Sequence, residues 1–335
     1  MESAPIVVIG AGVAGLACAR ELAGRGRVVT VLDKARGVGG RCATRRVEGQ
    51  AVDHGLSFFH GSDAAFLSEL EAVPGATVLP GWPSRVSGDG PPCQPQAFAP
   101  GERRVGFADG VSAFAKHLAR GLDVRLDTRV ASVDEARALP AGDPAGTVVL
   151  AMPIEQACAL LDEIAGGGQE LEAARGLLGM MGSLACLTVI AGYAPDVPDP
   201  GWDVLYPEDS DVLLLASHDS AKRAAPRYRV LVYQARACWS RRRLEADPAS
   251  WSAEILAEAG RRVGPWAARP SWHQPHRWRY ARVDRGTELS QPMLITLDGG
   301  LRIGLAGELF APGGGVEAAF VSGRRLAGRL LEDGK

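Results

Sequence analysis

What this chain lacks narrows its reading before any motif is considered. It has no C-x-x-C: six cysteines stand at 18, 42, 93, 158, 186 and 238, scattered in a way that excludes a redox-active dithiol, a zinc ribbon and a disulfide-stapled scaffold. They are expected to be reduced, mostly buried thiols. No apolar run approaches the roughly 20 residues that a membrane-spanning helix requires, and the first one, within residues 5–10, is too short for the core of a signal peptide. The expected location is therefore the cytoplasm. Neither sign of charge is in excess, with 37 basic and 39 acidic residues, so neither a nucleic acid nor an anionic membrane is implied as a partner. The basic run in residues 240–247 reads as a solvated helix face. What remains is a 335-residue chain, 46% hydrophobic and 23% charged, long enough for two domains or for one domain with a large insertion.

The N-terminal end is the most informative stretch. "IVVIGAGVAGLACARELAGRGRVVTVLDK" reads as strand, tight turn, helix and second strand. The first apolar run has the composition of a parallel strand buried on both faces. Gly10, Gly12 and Gly15 then spell G-x-G-x-x-G. The first permits the sharp turn, the second lets the backbone approach a pyrophosphate, and the third lets the helix lie close to the strand. The helix N-terminus adds free N–H groups at Val13 and Ala14. Asp33 closes the second strand eighteen residues after Gly15, placed to accept the hydroxyls of an adenosine ribose and to repel a 2′-phosphate. The unit is predicted to bind FAD or NAD rather than NADP.

The next segment favours FAD. "DKARGVGGRCATRR" brings Gly39, Gly40 and Arg41 directly after the ribose acid, giving close backbone approach and a fork of donors for phosphate oxygens. It resembles the glycine doublet and arginine of the FAD-dependent amine oxidase superfamily. With "VDHGLSFF" at residues 52–59, "VVLAMPIEQACALL" from Val148, "HRWRYARV" from His276 and "LAGELFAPGGGVEAAFVSG" at residues 305–323, the chain is similar to the renalase branch of that superfamily, in its bacterial form. The resemblance runs from the start to Leu331 and is strongest at the two ends.

The resemblance implies an α/β fold: a Rossmann-like FAD-binding domain with an inserted antiparallel-sheet substrate domain, as in amine oxidases and p-hydroxybenzoate hydroxylase. The expected division is 1–80, 105–160 and 286–335 for FAD, with 81–104 and 161–285 for substrate. Six prolines between Pro80 and Gly101 exclude a central strand or helix there. Residues 62–73 read as a helix capped by Ser62 or Asp63, residues 110–122 as another helix, and residues 122–133 as a hairpin. "TVVLA" returns a strand to the main sheet. Three apolar strands follow without intervening helices, then one amphipathic helix with Trp251, Ile255, Ala259 and Val263 on a common face, forming a lid for a flavin. "IAGGGQ" near Gly166 reads as a helix end with a left-handed glycine cap, not a second nucleotide fingerprint. The absence of such a fingerprint, together with that of C-x-x-C, argues against a disulfide-reductase flavoenzyme.

The site residues the resemblance implies for non-covalent FAD are Gly10, Gly12, Val13, Ala14, Gly15, Asp33, Lys34, Gly40, Arg41, Ser57, Phe58, Val130, Gly307, Glu308 and Val316. Glu308 is expected on a ribityl hydroxyl. The helix from Val316, with Phe320, Ala327 and Leu331 facing inward, is expected to aim its N-terminus at charge developing on the flavin. His54, Phe58, His276, Trp278 and Tyr280 are the substrate-pocket candidates, the last three on alternate positions of one strand. Core packing is the competing reading for each aromatic. His273 and His276 have metal-like spacing, but Pro275 stands between them and no third ligand is apparent. The branch usually has Gln-Tyr at Ser57 and Phe58 and Trp at Leu309, so this pocket is less polar and less able to stack on a flat ring.

The function implied is oxidation of a small cyclic hydride donor, of which dihydropyridine isomers of NAD(P)H are examples, by hydride transfer to flavin N5, with oxygen or a quinone as acceptor. Three alternatives stand beside it: an FAD-dependent amine oxidase, a flavin-binding redox sensor with little catalysis, and a colourless NAD-dependent dehydrogenase.

Overall fold

Ile6–Ile9, Val29–Leu32 and Thr147–Leu150 are four-residue apolar strands with every side chain buried, as strands covered on both faces must be. The computed structural model describes residues 4–140 and 144–332. Its Cα packing divides the chain into two units. The first comprises Met1–Cys42, Phe114–Ser183 and Arg282–Lys335; the second comprises Ala43–Ala113 and Leu184–Ala281.

The first unit is built on a six-stranded sheet in the order Met293–Thr296, Arg302–Leu305, Thr147–Leu150, Ile6–Ile9, Val29–Leu32, Asp123–Arg125. Every neighbouring pair is parallel except the first. On one face, Val7, Ile9, Val148, Leu150, Ile303 and Leu305 pack with Ile154, Leu161, Leu171 and Leu178 of helices Ile154–Asp162 and Gly168–Leu178. On the other face lie helices Val13–Gly24 and Gly315–Glu332, which also pack on each other. A Cβ on Gly323 would stand 2.2 Å from the carbonyl oxygen of Ala14, so these two helices meet backbone to backbone.

The second unit contains a six-stranded sheet in the order Trp272–Val283, Ser183–Tyr193, Arg229–Ala235, Leu213–His218, Val204–Leu205, Val86–Ser87. Its last pair is parallel. Helix Pro248–Arg262 covers it with Trp251, Ile255 and Ala259, which join a core containing Leu187, Val189 and Tyr233. A hairpin, Thr44–Val47 with Gln50–Asp53, turns through Glu48 and Gly49, both at positive φ, the backbone that a two-residue turn demands. Phe59–Gly61, Arg103–Phe107 and Val78–Pro80 form a small antiparallel sheet.

Several expectations change. Residues 43–80 and 105–113 belong to the second unit, because Val47 and Val52 pack on Ile190, Val230 and Val232, and Phe58 packs on Val204 and Leu215. Residues 161–183 belong to the first unit through Leu161, Leu171 and Leu178. Residues 122–133 are not a hairpin: Asp123–Arg125 is one edge strand, paired in parallel to Val29–Leu32. Gly166 and Gly167 do have positive φ, but Gly167 starts a second helix, Gly168–Leu178, instead of only ending the first. On the C-terminal helix the buried positions include Phe320, Leu326, Ala327 and Leu330, while Leu331 is half-buried. Among the described residues, no helix is long and apolar enough to cross a membrane.

The helix contact is testable. Gly323→Ala forces its methyl into a backbone oxygen and should cost about 1–3 kcal/mol, the usual penalty of overpacking. Gly328→Ala, on the same helix with nothing within 4 Å of the added carbon, should gain up to about 1 kcal/mol from helix propensity. Urea unfolding of both variants reads the difference, and equal midpoints would contradict this packing.

Candidate functional site

The first unit presents a surface without side chains where its first strand meets its first helix. Gly10 has φ +114, and a Cβ there would lie 2.3 Å from the carbonyl oxygen of Ala151; a Cβ on Gly15 would lie 2.0 Å from the carbonyl oxygen of Gly10. Both positions are closed to any other residue. Gly12 is different, since nothing lies within 4 Å of its added carbon. It is also the N-cap of helix Val13–Gly24 and supplies no side-chain cap, so the helix amides at Val13 and Ala14 face an open space. Gly39 bridges to Gly12, and Gly40 has φ +55 with the Cα of Gly12 as its nearest neighbour. Two glycine turns thus line one cradle.

Asp33 lies at one end of the cradle. Its Oδ2 accepts from the N–H of Ala11 at 2.7 Å and its Oδ1 from that of Ala35 at 2.8 Å. These bonds fix the carboxylate and leave each oxygen a second lone pair for a hydroxyl donor. Lys34 is exposed beside it, and burial and the charge of Arg129 lower its pKa. Val130 is half-buried and packs against the core after the edge strand. At the other end, Arg41 is ion-paired with Glu308, whose Oε1 also accepts from the N–H of Val283 at 3.0 Å. Both line a cleft with Met152, Pro153, Gly307 and Phe310. Val316 is half-buried in the first turn of helix Gly315–Glu332, after three glycines at positive φ. An open glycine cradle, a helix N-terminus, a hydroxyl-accepting acid and an arginine are the donor and acceptor set that an FAD requires, so the residues fit that cofactor.

The second unit brings together three of the five pocket candidates. His54 stacks on Trp278 with ring centroids 5.2 Å apart and planes at 29°, and His276 stands edge-on to both, at 4.7 Å from His54 and 4.2 Å from Trp278. Burial, then the nearby His276 and Arg45, push the pKa of His54 down to about 3; burial and Arg45 push His276 down to about 4. Both rings are neutral at pH 7. Tyr280 is half-buried further along the same strand. Phe58 is not part of this group. It is fully buried among Trp82, Phe98, Tyr206 and Leu215, and so offers no face to a ligand. Ser57 is also buried, and its Oγ lacks a partner. Leu309, in the first unit, is 3% exposed; it is a core residue.

Sequence reasoning missed the clamp around His54. Asp53 and Lys222 are fully buried and ion-paired at 2.5 Å, with Asp219 and Arg223 completing the group. Burial alone would raise the pKa of Asp53, but Lys222 and Arg223 outweigh it and hold the carboxyl below the usual range. Lys222 also donates to the carbonyl of Ser57 at 2.9 Å, Gln234 to that of Gly55 at 2.6 Å, and Trp278 Nε1 to that of His54 at 3.0 Å. Segment 53–57 is therefore held by side chains from three other elements. The signal was present in "VDHG", where an acid between apolar residues calls for a buried cation.

Residues 8–70 match an NAD(P)-binding Rossmann-like domain, and residues 92–331 match the flavin containing amine oxidoreductase family. The chain belongs to that family. Its fold is the amine oxidase fold. Hydroxyneurosporene desaturase of Rubrivivax gelatinosus is 42% identical over 73 residues, which are 22% of this chain and 14% of that protein's length. Putrescine oxidase, solved with putrescine bound, has 17% identity with a TM-score of 0.69, covering 98% of this chain and 99% of that one. Cyclohexylamine oxidase of Brevibacterium oxydans has 15% identity and a TM-score of 0.71 over 98% and 99% of the two chains. These two likenesses bear on the fold.

Lys222→Met leaves two buried aspartates to share one arginine. It should cost about 3–5 kcal/mol, the penalty of breaking a buried ion pair from one side. Urea unfolding at neutral pH measures it, and a loss below about 1 kcal/mol, the range of exposed pairs, would show that the group is not a buried network.

Proposed function

We propose that this flavin-containing amine oxidoreductase is of renalase type, oxidising a small, flat, cyclic hydride donor with non-covalently held FAD and passing the electrons to oxygen or a quinone. One observation carries this reading: His54, buried, stacks on the half-buried Trp278 and is edged by the half-buried His276, an aromatic group whose imidazoles are neutral and to which a guanidinium is already bonded. Such a surface suits an uncharged ring. It opposes an ammonium group, which would meet the positive charge of Arg45. On this reading His54 and Trp278 supply the stacking that Ser57, Phe58 and Leu309 are not expected to give.

The residues of the first unit bind and orient the cofactor. Asp33 would accept the ribose hydroxyls, Gly12, Gly40 and the amides of Val13 and Ala14 would receive the pyrophosphate, Arg41 would offer part of its donor fork to phosphate, and Glu308 would accept from a ribityl hydroxyl. Bound FAD supplies the two-electron acceptor. The residues of the second unit act on the donor by orientation and by exclusion of water. With pKa values of about 3 and 4, His54 and His276 are poor general bases at pH 7, where efficient proton transfer calls for a pKa near the working pH. A hydride donor needs no such base, whereas it would be a deficit in a reaction that begins by deprotonation.

The test is anaerobic mixing of the purified holoprotein with dihydropyridine isomers of NAD(P)H and, separately, with primary amines, watching the flavin absorbance. The expected result is bleaching by the dihydropyridines and none by amines. Bleaching by amines alone would make the protein an amine oxidase, and bleaching by neither would leave a flavin-binding sensor; each overturns the reading.

A further inference from the structure

Arg45 stands on strand Thr44–Val47 of the second unit, half-buried. Several of the unit's arginines are matched to carboxylates, such as Arg85 with Asp203 and Arg243 with Glu254, and the half-buried Arg104, Arg229, Arg236 and Arg277 donate to backbone carbonyls. Among the described residues of this unit, Arg45 is matched to none. Its partners are neutral, Gln274 Oε1 at 3.3 Å and His276 Nδ1 at 3.0 Å. These engage two of the five N–H donors of a guanidinium. A half-buried cation without a counter-ion is costly, and neither of the flanking imidazoles can relieve it. A second orphan lies in the same cluster: His54 is 5% exposed and its buried Nδ1 has no partner.

We propose that Arg45 and the His54–His276 pair form an anion subsite for a carboxylate carried directly on the ring of the donor, a deepening that rests on the cyclic-donor reading above. The guanidinium supplies a planar donor fork that matches a carboxylate. The geometry also sets the reach. Arg45 is bonded to His276, whose ring centroid is 4.2 Å from Trp278 and 4.7 Å from His54, so an anion on Arg45 lies within about one ring's width of the stacking surface. A ring carboxylate spans that distance. In a nicotinamide dinucleotide a ribose separates the ring from the first phosphate, and the ring itself carries a neutral amide. Among the cyclic donors of that reading, partly reduced ring carboxylic acids are thus bound more tightly than the dinucleotide isomers, which still reduce the flavin but lack the ring carboxylate.

Isothermal titration of the holoprotein with two unreactive probes of the same shape, nicotinate and nicotinamide, tests this without turnover. Nicotinate should bind at least about tenfold more tightly, the scale of a charge-assisted hydrogen bond. Arg45→Gln should remove that preference and leave nicotinamide binding unchanged, while Arg45→Lys should keep part of it. Equal binding of the two probes by the unmodified protein, or a preference that survives Arg45→Gln, overturns the anion subsite. Neither outcome touches the bleaching test; a preserved preference with no bleaching by any cyclic donor overturns the renalase-type reading alone.

Discussion

The first unit depends on the contact between a turn and a carbonyl. The oxygen of Ala151, at the end of the central strand, occupies the space in which residue 10 would carry a side chain, and the carbonyl of Gly10 does the same to residue 15. Because both positions are glycine, helix Val13–Gly24 starts directly against the sheet, and its amide-rich end meets open space at Gly12 and Gly40. The close seating continues at Gly323, where the C-terminal helix meets Ala14. That places the chain's last helix against its first one, and the acid and glycines that precede it in the same unit as Gly10. The cradle is the part of the protein's surface built by leaving side chains out.

The second unit works on an opposite principle. Four charged side chains are sunk in its interior, and the desolvation cost of such a group is offset only when each charge is paired and hydrogen-bonded. Lys222 meets that condition with Asp53, Asp219 and the carbonyl of Ser57. The return is placement: segment 53–57 carries His54, and every anchoring bond on it comes from elsewhere in the unit. The histidine is thereby held against Trp278 as a neutral, rigid ring. Arg45, half-buried beside that ring, is bonded only to the neutral Gln274 and His276.

The readable parts of the sequence were those whose chemistry is local. Gly10, Gly12, Gly15 and Asp33 fall within one strand–helix–strand unit, where Gly10 makes the tight turn and Gly15 the close helix contact that their spacing implies. The buried strands and the helix containing Trp251 announce themselves by pattern. What escaped reading joins distant residues or lacks contrast. Asp53 and Lys222 are 169 positions apart, and an arginine in "TRR" looks like a surface residue until its partners are known. Helix Gly168–Leu178 begins with a left-handed glycine and carries a largely polar face, so its first turn imitates the end of the preceding helix. Phe58 sits in a motif that points to a ligand, yet its ring completes a core; sequence alone does not separate a stacking aromatic from a packing one.

The central claim is that the glycine cradle, Asp33 and the arginine at 41 hold FAD without a covalent bond. The absorption spectrum of the purified protein, recorded before and after denaturation and filtration, tests it most directly. The account predicts a flavin spectrum with one FAD per chain, released intact into the filtrate, and retention weakened about tenfold or more in Asp33→Ala and Arg41→Ala, as for the loss of hydrogen bonds to a charged group. A colourless protein that binds NAD instead, or full retention of FAD in both variants, would contradict it.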